Sequence, residues 1–220
     1  MHQSVKNIID LNNKVKQKIQ ELNYTNYNPK IIAVSKTFSM DNILPLIEYG
    51  HQHFGENKVQ EAYAKWVEIK NKKNDLMLHM IGRLQSNKVK QAVKIFDYIH
   101  SLDSLKLAKK IAEEQNKQKK KLKFFIQVNI GEEVQKNGLS LNEANELANQ
   151  CKDMNLDVIG LMCLPPINYA SSKYFSIIKK KNDDLNFKSL SLGMSDDYID
   201  AIHYKSTFFR IGTKIFGKRN

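Results

Sequence analysis

One lysine stands where a solubilising surface lysine would not. Lys36 directly follows the apolar run Ile31-Ile32-Ala33-Val34-Ser35, at the exit end of a buried strand rather than on a helix face. A free lysine amine has a pKa of about 10.4 and is a poor nucleophile while charged. Desolvation or cationic neighbours lower that value, and the neutral amine can then condense with a carbonyl to form an imine. Position alone does not separate a reactive lysine from a structural one. A second set of residues adds to the case. Gly193-Met194-Ser195 and Arg210-Ile211-Gly212-Thr213 each combine a glycine, a hydroxyl and a turn into a helix. Glycine lets the backbone approach an anion, hydroxyls donate to it, and the N–H groups of a helix start favour phosphate. Ser195 or Thr213 taken singly is as well explained as a plain helix cap.

The elements that must hold these groups alternate along the chain. An amphipathic helix over residues 5–22 comes first, with Val5, Ile8, Leu11, Val15 and Ile19 near the helical period. β-type runs then recur at 31–34, 51–54, 76–80, 98–100, 124–130, 158–163, 189–192 and 207–211, each followed by a helical pattern. Asp41 and Asp103 are the expected N-caps of two of these helices, a single helix is expected from Gln85 to Val93, and Asp196 or Asp197 should start another. Strands that alternate with helices pair in parallel. Eight such units without a G-x-G-x-x-G turn favour a TIM (β/α)8 barrel over an open doubly wound sheet. The expectation is an α/β single domain over residues 1–220, with residues 1–25 as an extra N-terminal helix packing on the barrel. In such a barrel the site lies at the C-terminal ends of the strands. Lys36, Glu56, Asn57, His79, His100, Ser101, Asn129, Met162, Cys163, Ser195, Arg210, Gly212 and Thr213 all fall at or near strand ends. A lysine facing a phosphate cradle implies a phosphorylated aldehyde or sugar. Pyridoxal 5′-phosphate (PLP) and an aldolase-type substrate both satisfy that chemistry.

Composition bounds the remaining function classes. The 220 residues are 41% hydrophobic and 26% charged, as in ordinary globular proteins. The N-terminal segment mixes Lys, Asn and Gln into its apolar pattern, so neither a signal peptide nor a membrane span is expected. Cys151 and Cys163 lack metal-ligand spacing and a disulfide context, which implies reduced thiols, no metal and a cytoplasmic location. The net charge of +12 raises nucleic-acid binding as a possibility. The lysines are scattered, however, and the dense run 117–123 has no stacking aromatics beside it, so specific nucleic-acid binding is not expected.

Five stretches carry a resemblance over nearly the whole chain: AVSKT (33–37), FGENKVQE (54–61), HMIGRLQSNK (79–88), LSLGMSDD (190–197) and STFFRIGTKIFGKR (206–219). Together they resemble the pyridoxal phosphate homeostasis proteins, the YggS/PROSC family. The resemblance implies the fold of the alanine racemase N-terminal domain and PLP held as an internal aldimine on Lys36. It implies phosphate binding by Ser195, Gly212 and Thr213, Arg210 near the ring nitrogen and phosphate side, Asn57 near the cofactor, and His79 and Met162 near the ring. A guanidinium does not give up its proton, so the ring nitrogen would stay unprotonated and PLP would be a weaker electron sink. Related racemases take a second base from another domain, for which this chain has no residues to spare. The expected role is therefore a monomeric PLP carrier in intracellular PLP homeostasis, with apo PLP-dependent enzymes as acceptors and no catalytic residues. The alternatives are a PLP-dependent amino-acid racemase or lyase, and a basic RNA-associated protein. Arg83, Lys58 and Lys205 depart from the family pattern, each expected to add positive charge at the barrel's top face.

Overall fold

The computed structural model describes residues 1–131, 133, 135, 137–166 and 170–218; Arg219, the last residue of the final motif, lies outside them. Helix α1 (Gln3–Glu21) buries the stripe Val5, Ile8, Leu11 and Val15. Eight strands follow: β1 (Lys30–Val34), β2 (His53–Glu56), β3 (Met77–Met80), β4 (Tyr98–Leu102), β5 (Lys123–Val128), β6 (Asp157–Cys163), β7 (Ser189–Ser191) and β8 (Phe208–Ile211). Each pairs in parallel with the next, and β8 pairs with β1, which closes the barrel. The outer ring is α2 (Met40–Glu48), α3 (Val59–Lys72), α4 (Val89–Ile95), α5 (Leu105–Gln118), α6 (Leu141–Asp153), α7 (Ser171–Asp184), α8 (Tyr198–His203) and α9 (Thr213–Phe216). The expected α/β barrel in a single domain is therefore present. Helix α1 packs on α2, α8 and α9, and Asn7 Nδ2 donates to the Ile215 carbonyl across that seam (2.8 Å). No helix among the described residues is long and apolar enough to cross a membrane.

Strand alternation sorts the side chains into two layers. Ile31, Ala33, Phe54, Leu78, Ile99 and Phe124 face outward into the core under the helices. Ile32, Phe125, Met162 and Phe208 fill the barrel interior. By the same period Val34 and Lys36 continue the inward face of β1, while Ser35 turns outward.

Local boundaries differ from the sequence expectations at several places. Ser39, not Asp41, is the N-cap residue of α2; its Oγ accepts from Asn42 Nδ2 (3.0 Å), and Asp41 lies in the first turn. At α5 the cap is Ser104 rather than Asp103, because the Ser104 backbone is extended and its Oγ accepts from the Leu107 N–H (3.3 Å). Asp197 does occupy the N-cap position of α8. Strand β2 starts two residues later than expected because His51 N–H still bonds to the Leu46 carbonyl and closes α2 (2.9 Å). The expected helix at 85–93 is a 3-10 turn, Ser86–Lys88, followed by α4. Strand β5 stops at Val128 because Leu139 N–H bonds to Gln127 O and Asn129 N–H to Leu139 O (both 2.9 Å), which draws the chain out of the sheet. Cys151 and Cys163 are both buried.

Candidate functional site

The sequence-selected residues gather on one arc of the rim. Lys36 leaves β1, Asn57 follows β2, Ser195 lies in the turn after β7, and Arg210, Gly212 and Thr213 occupy the end of β8 and its turn. In the closed order β7, β8, β1 and β2 are consecutive, so the six positions come from adjoining strands. The Cα of Ile32 pairs with that of Arg210, which sets Arg210 one inward position below the level of Val34 and Gly212. A Cβ added at Gly212 would lie 3.4 Å from Val34 Cβ, so the β8 turn rests against the strand that carries Lys36. Arg210 N–H donates to the Gly193 carbonyl (2.9 Å) and ties the β7 loop to β8. Gly193 itself has φ +88°, and a Cβ there would meet Ala201 Cβ and Tyr198 Cα at 2.9 Å. Only glycine lets this loop turn so close to α8.

Ser195 is nearly buried, and its hydroxyl is bonded to no protein group among the described residues. It is not the cap of α8, a position Asp197 takes while its Oδ1 accepts from Met194 N–H (2.6 Å). Gly212 holds the N-cap position of α9, so the N–H groups of the first turn, Thr213 and Lys214, have no acceptor inside the helix. On the other flank, Gly82 lets the loop after β3 press against Asn57; a Cβ at Gly82 would sit 2.5 Å from Asn57 O.

Arg210 is a buried cation bonded to neutral groups. Its Nη1 donates to Ser191 O and Ser191 Oγ (both 2.5 Å), and its Nη2 donates to Cys163 O (2.9 Å). No carboxylate of the described residues forms an ion pair with it. Burial lowers its pKa to about 10 against weaker opposing effects of Cys163 and Asp197, so it remains charged at neutral pH. A buried charge without a counter-charge is costly unless something negative is meant to lie beside it.

A network that sequence reasoning missed pins the Lys36 loop from outside the barrel. Glu56, fully buried, takes three donors on Oε1: Ser35 Oγ (2.8 Å), Trp66 Nε1 (3.0 Å) and Lys65 Nζ (2.8 Å). Lys65 Nζ also donates to the Ser35 carbonyl (2.9 Å) and the Phe38 carbonyl (3.3 Å), and it pairs with Glu61 (2.9 Å). Glu61 Oε1 accepts from Thr37 N–H (2.5 Å), whose residue has φ +69°, a left-handed conformation rare for a β-branched side chain. Both neighbours of Lys36 are thus held by α3. Burial pushes the Glu56 carboxyl up, outweighing the contrary pull of Lys65, Trp66 and Ser35. For Glu61 burial also pushes up, but the bonds from Lys65 and Thr37 prevail and hold it below its ordinary value. Sequence position singled out Glu56 as a strand-end residue, and Glu61 and Lys65 stand one helical turn apart, but the partners that join them do not follow from the sequence.

Two residues expected near the ring line the barrel interior below the rim. His79 is fully buried, its Cα paired with Gly55, and it bonds to His53 and His100 in the barrel interior. Met162 packs with Ile32, Phe125 and Phe208. Both point inward below the rim, as strand alternation places residues that precede a strand's last position. Lys205 is also displaced from its expected place. It lies between α8 and β8, hence at the N-terminal end of the barrel, with its Nζ 4.8 Å from the Tyr24 ring centroid. Lys58 and Arg83 do follow strand ends, β2 and β3.

Fold and rim together define a class: a closed (β/α)8 barrel with an inward strand-1 lysine, facing glycine and hydroxyl turns on strands 7 and 8. The model of the alanine racemase N-terminal domain matches residues 9–220. Pyridoxal phosphate homeostasis proteins of Pasteurella multocida and Escherichia coli K12 are similar, at 35% identity over 97% of both chains and 36% over 86% of both. The solved structure of PipY from Synechococcus elongatus, with PLP bound, superposes with a TM-score of 0.81 at 30% identity, covering 92% of this chain and all of that one. Alanine racemase of Clostridium difficile, at 16% identity and TM-score 0.68, shares the fold over 57% of its length. The chain belongs to the alanine racemase N-terminal domain family, within its pyridoxal phosphate homeostasis (YggS/PROSC) branch.

Proposed function

We propose that this chain is an intracellular PLP carrier that holds the cofactor covalently on Lys36. Ser195, Gly212 and Thr213 bind the phosphate, Arg210 lies by the ring nitrogen and the phosphate side, and Asn57 flanks the ring. The observation that carries the reading is Arg210. It is a buried cation with only neutral protein partners, set directly beneath the arc that Lys36 shares with two phosphate-type turns. An anionic phosphorylated aldehyde supplies both the missing charge and a carbonyl for the lysine. The relatives' names and the PLP in PipY select PLP over an aldolase-type sugar.

When bound, PLP supplies an aldehyde that exchanges between amines. The residues of this chain orient it and shield it. No second acid or base stands on the arc beside Lys36 among the six residues assigned here, which favours storage and delivery to apo-enzymes in the cytoplasm over turnover. The protein acts as a monomer in this reading.

Purified protein mixed with PLP should turn yellow, and borohydride should fix one PLP per chain on Lys36 by peptide mass spectrometry. Lys36→Ala should stay colourless. A wild-type protein that takes up no PLP refutes the reading. Amino-acid racemisation or elimination well above that of free PLP would replace the carrier with an enzyme.

A further inference from the structure

A continuous hydrogen-bonded chain runs through the barrel interior from Arg210 to the far end of the sheet. Arg210 Nη1 meets Ser191 Oγ at 2.5 Å, and Ser191 Oγ meets His100 Nδ1 at 2.8 Å. His100 Nε2 meets His79 Nδ1 at 2.9 Å, and His79 Nε2 meets His53 Nδ1 at 3.0 Å. Ser191, His100 and His79 are fully buried. We propose that Ser191, His100 and His79 are positioning residues for Arg210, because the guanidinium gives this chain a single direction and the chain in turn fixes the guanidinium. The cofactor-facing part of the inference rests on the PLP reading above; the direction of the chain does not.

The direction follows from the donor inventory. Guanidinium donates and never accepts. Ser191 Oγ therefore accepts from Arg210, and among the described residues the acceptor placed for its own proton is His100 Nδ1. A buried hydroxyl proton left without an acceptor would cost about 1–3 kcal/mol, which rules against the reverse assignment. With Nδ1 accepting, His100 carries its proton on Nε2 and donates to His79 Nδ1. By the same logic His79 carries its proton on Nε2 and donates to His53. Each ring is then a neutral tautomer chosen by the arginine at the far end.

The surroundings keep the chain neutral and still. The titratable and charged groups that face the two inner rings are Arg210, His53, Tyr98, Lys70, His51 and each other, and none is a carboxylate. Burial above all, then these neighbours, holds both His79 and His100 well below the ordinary histidine pKa. The rings are also clamped by stacking: His79 on Tyr98 at 4.3 Å and His100 on Phe125 at 4.4 Å between centroids. Neither ring can turn without breaking two hydrogen bonds, so Ser191 keeps a lone pair aimed at Nη1. Arg210 spends three bonds inward, on Ser191 and Cys163, and keeps the rest of its donors for a ligand.

The test uses two readouts. Nitrogen-15 NMR of the imidazoles in wild-type protein without added PLP should show His79 and His100 protonated on Nε2, with neither ring titrating near neutral pH. A proton on Nδ1 of His100, or a titration near neutrality, overturns the direction. In Ser191→Ala, which removes the link to Arg210, the tautomers should become mixed. With PLP added, this variant should shift the visible band and bind about tenfold more weakly, as expected for loosening one charge-assisted bond. Ser191→Thr, which keeps the hydroxyl, should restore the tautomers, the band and the affinity. An unchanged band and affinity in Ser191→Ala overturns the positioning role, and the wild-type NMR stands even if that variant fails to fold. Failure of the wild-type protein to bind PLP would refute the functional reading alone and leave the tautomer result intact.

Discussion

A guanidinium held away from water among carbonyls and hydroxyls is a poor stability device and a good anion receptor. Arg210 has that character, and it separates binding from folding in a testable way. Arg210→Met keeps the volume and removes the unpaired charge. Its unfolding free energy in urea should stay within about 2 kcal/mol of wild type, while PLP affinity falls about 10- to 100-fold. Equal affinity in the variant would remove Arg210 from the site. At this scale the sequence was partly legible. Lys36 and Arg210 stand out because each ends or nearly ends an apolar strand, and the period of two sends both inward. Their partners were not legible. Ser191 and His100 lie 91 positions apart, and only closure of the barrel brings them to 2.8 Å.

Between residue and fold, one helix does the positioning. Lys65 on α3 joins two carbonyls of the Lys36 loop to two carboxylates, one of them fully buried. Lys65→Met leaves Glu56 as a buried carboxylate without its cation, which should cost about 3–5 kcal/mol by urea unfolding. It also frees Ser35 and Phe38, so borohydride trapping of PLP on Lys36 should slow at protein concentrations where the variant is still folded. A variant of wild-type stability and trapping rate would show that the clamp is decorative. Element existence and order could be read from the alternation of periods, whereas element ends could not. The caps at Ser39 and Ser104 displaced the acidic residues expected there, because backbone direction at a single residue decides which side chain reaches the helix N–H groups. Strand β5 ended early because Leu139, eleven residues past Val128, captured the Gln127 carbonyl and the Asn129 N–H.

At the scale of the molecule, the interior of this barrel carries polar rings where aliphatic layers are common. That makes stability depend on pH. A histidine in the unfolded chain titrates near about 6.5, and His79 and His100 titrate well below that when folded. Between those values the unfolded chain binds more protons, so stability rises with pH. It is fully present above about pH 6.5 and is lost as the pH falls toward the folded values, with a slope approaching about 1.4 kcal/mol per pH unit for each ring. Thermal melting followed between pH 7.5 and 5 checks this; a midpoint that does not move over that span would contradict it. The barrel itself was legible from eight strand–helix repeats. Its polar interior was not, since His53, His79 and His100 look like isolated histidines until the sheet curls and stacks them.

The arc that gathers Lys36, Asn57, Ser195, Arg210, Gly212 and Thr213 has one more consequence, which concerns time rather than geometry. It straddles the seam where the first two strands meet the last two. A nascent chain emerging from the ribosome carries Lys36 long before the turns after β7 and β8 exist. A ligand that needs the whole arc, as proposed above, must wait for β8 to pair with β1, and it would then tie early-made strands to late-made ones. A chain stalled before β7 would hold the lysine and neither of those turns.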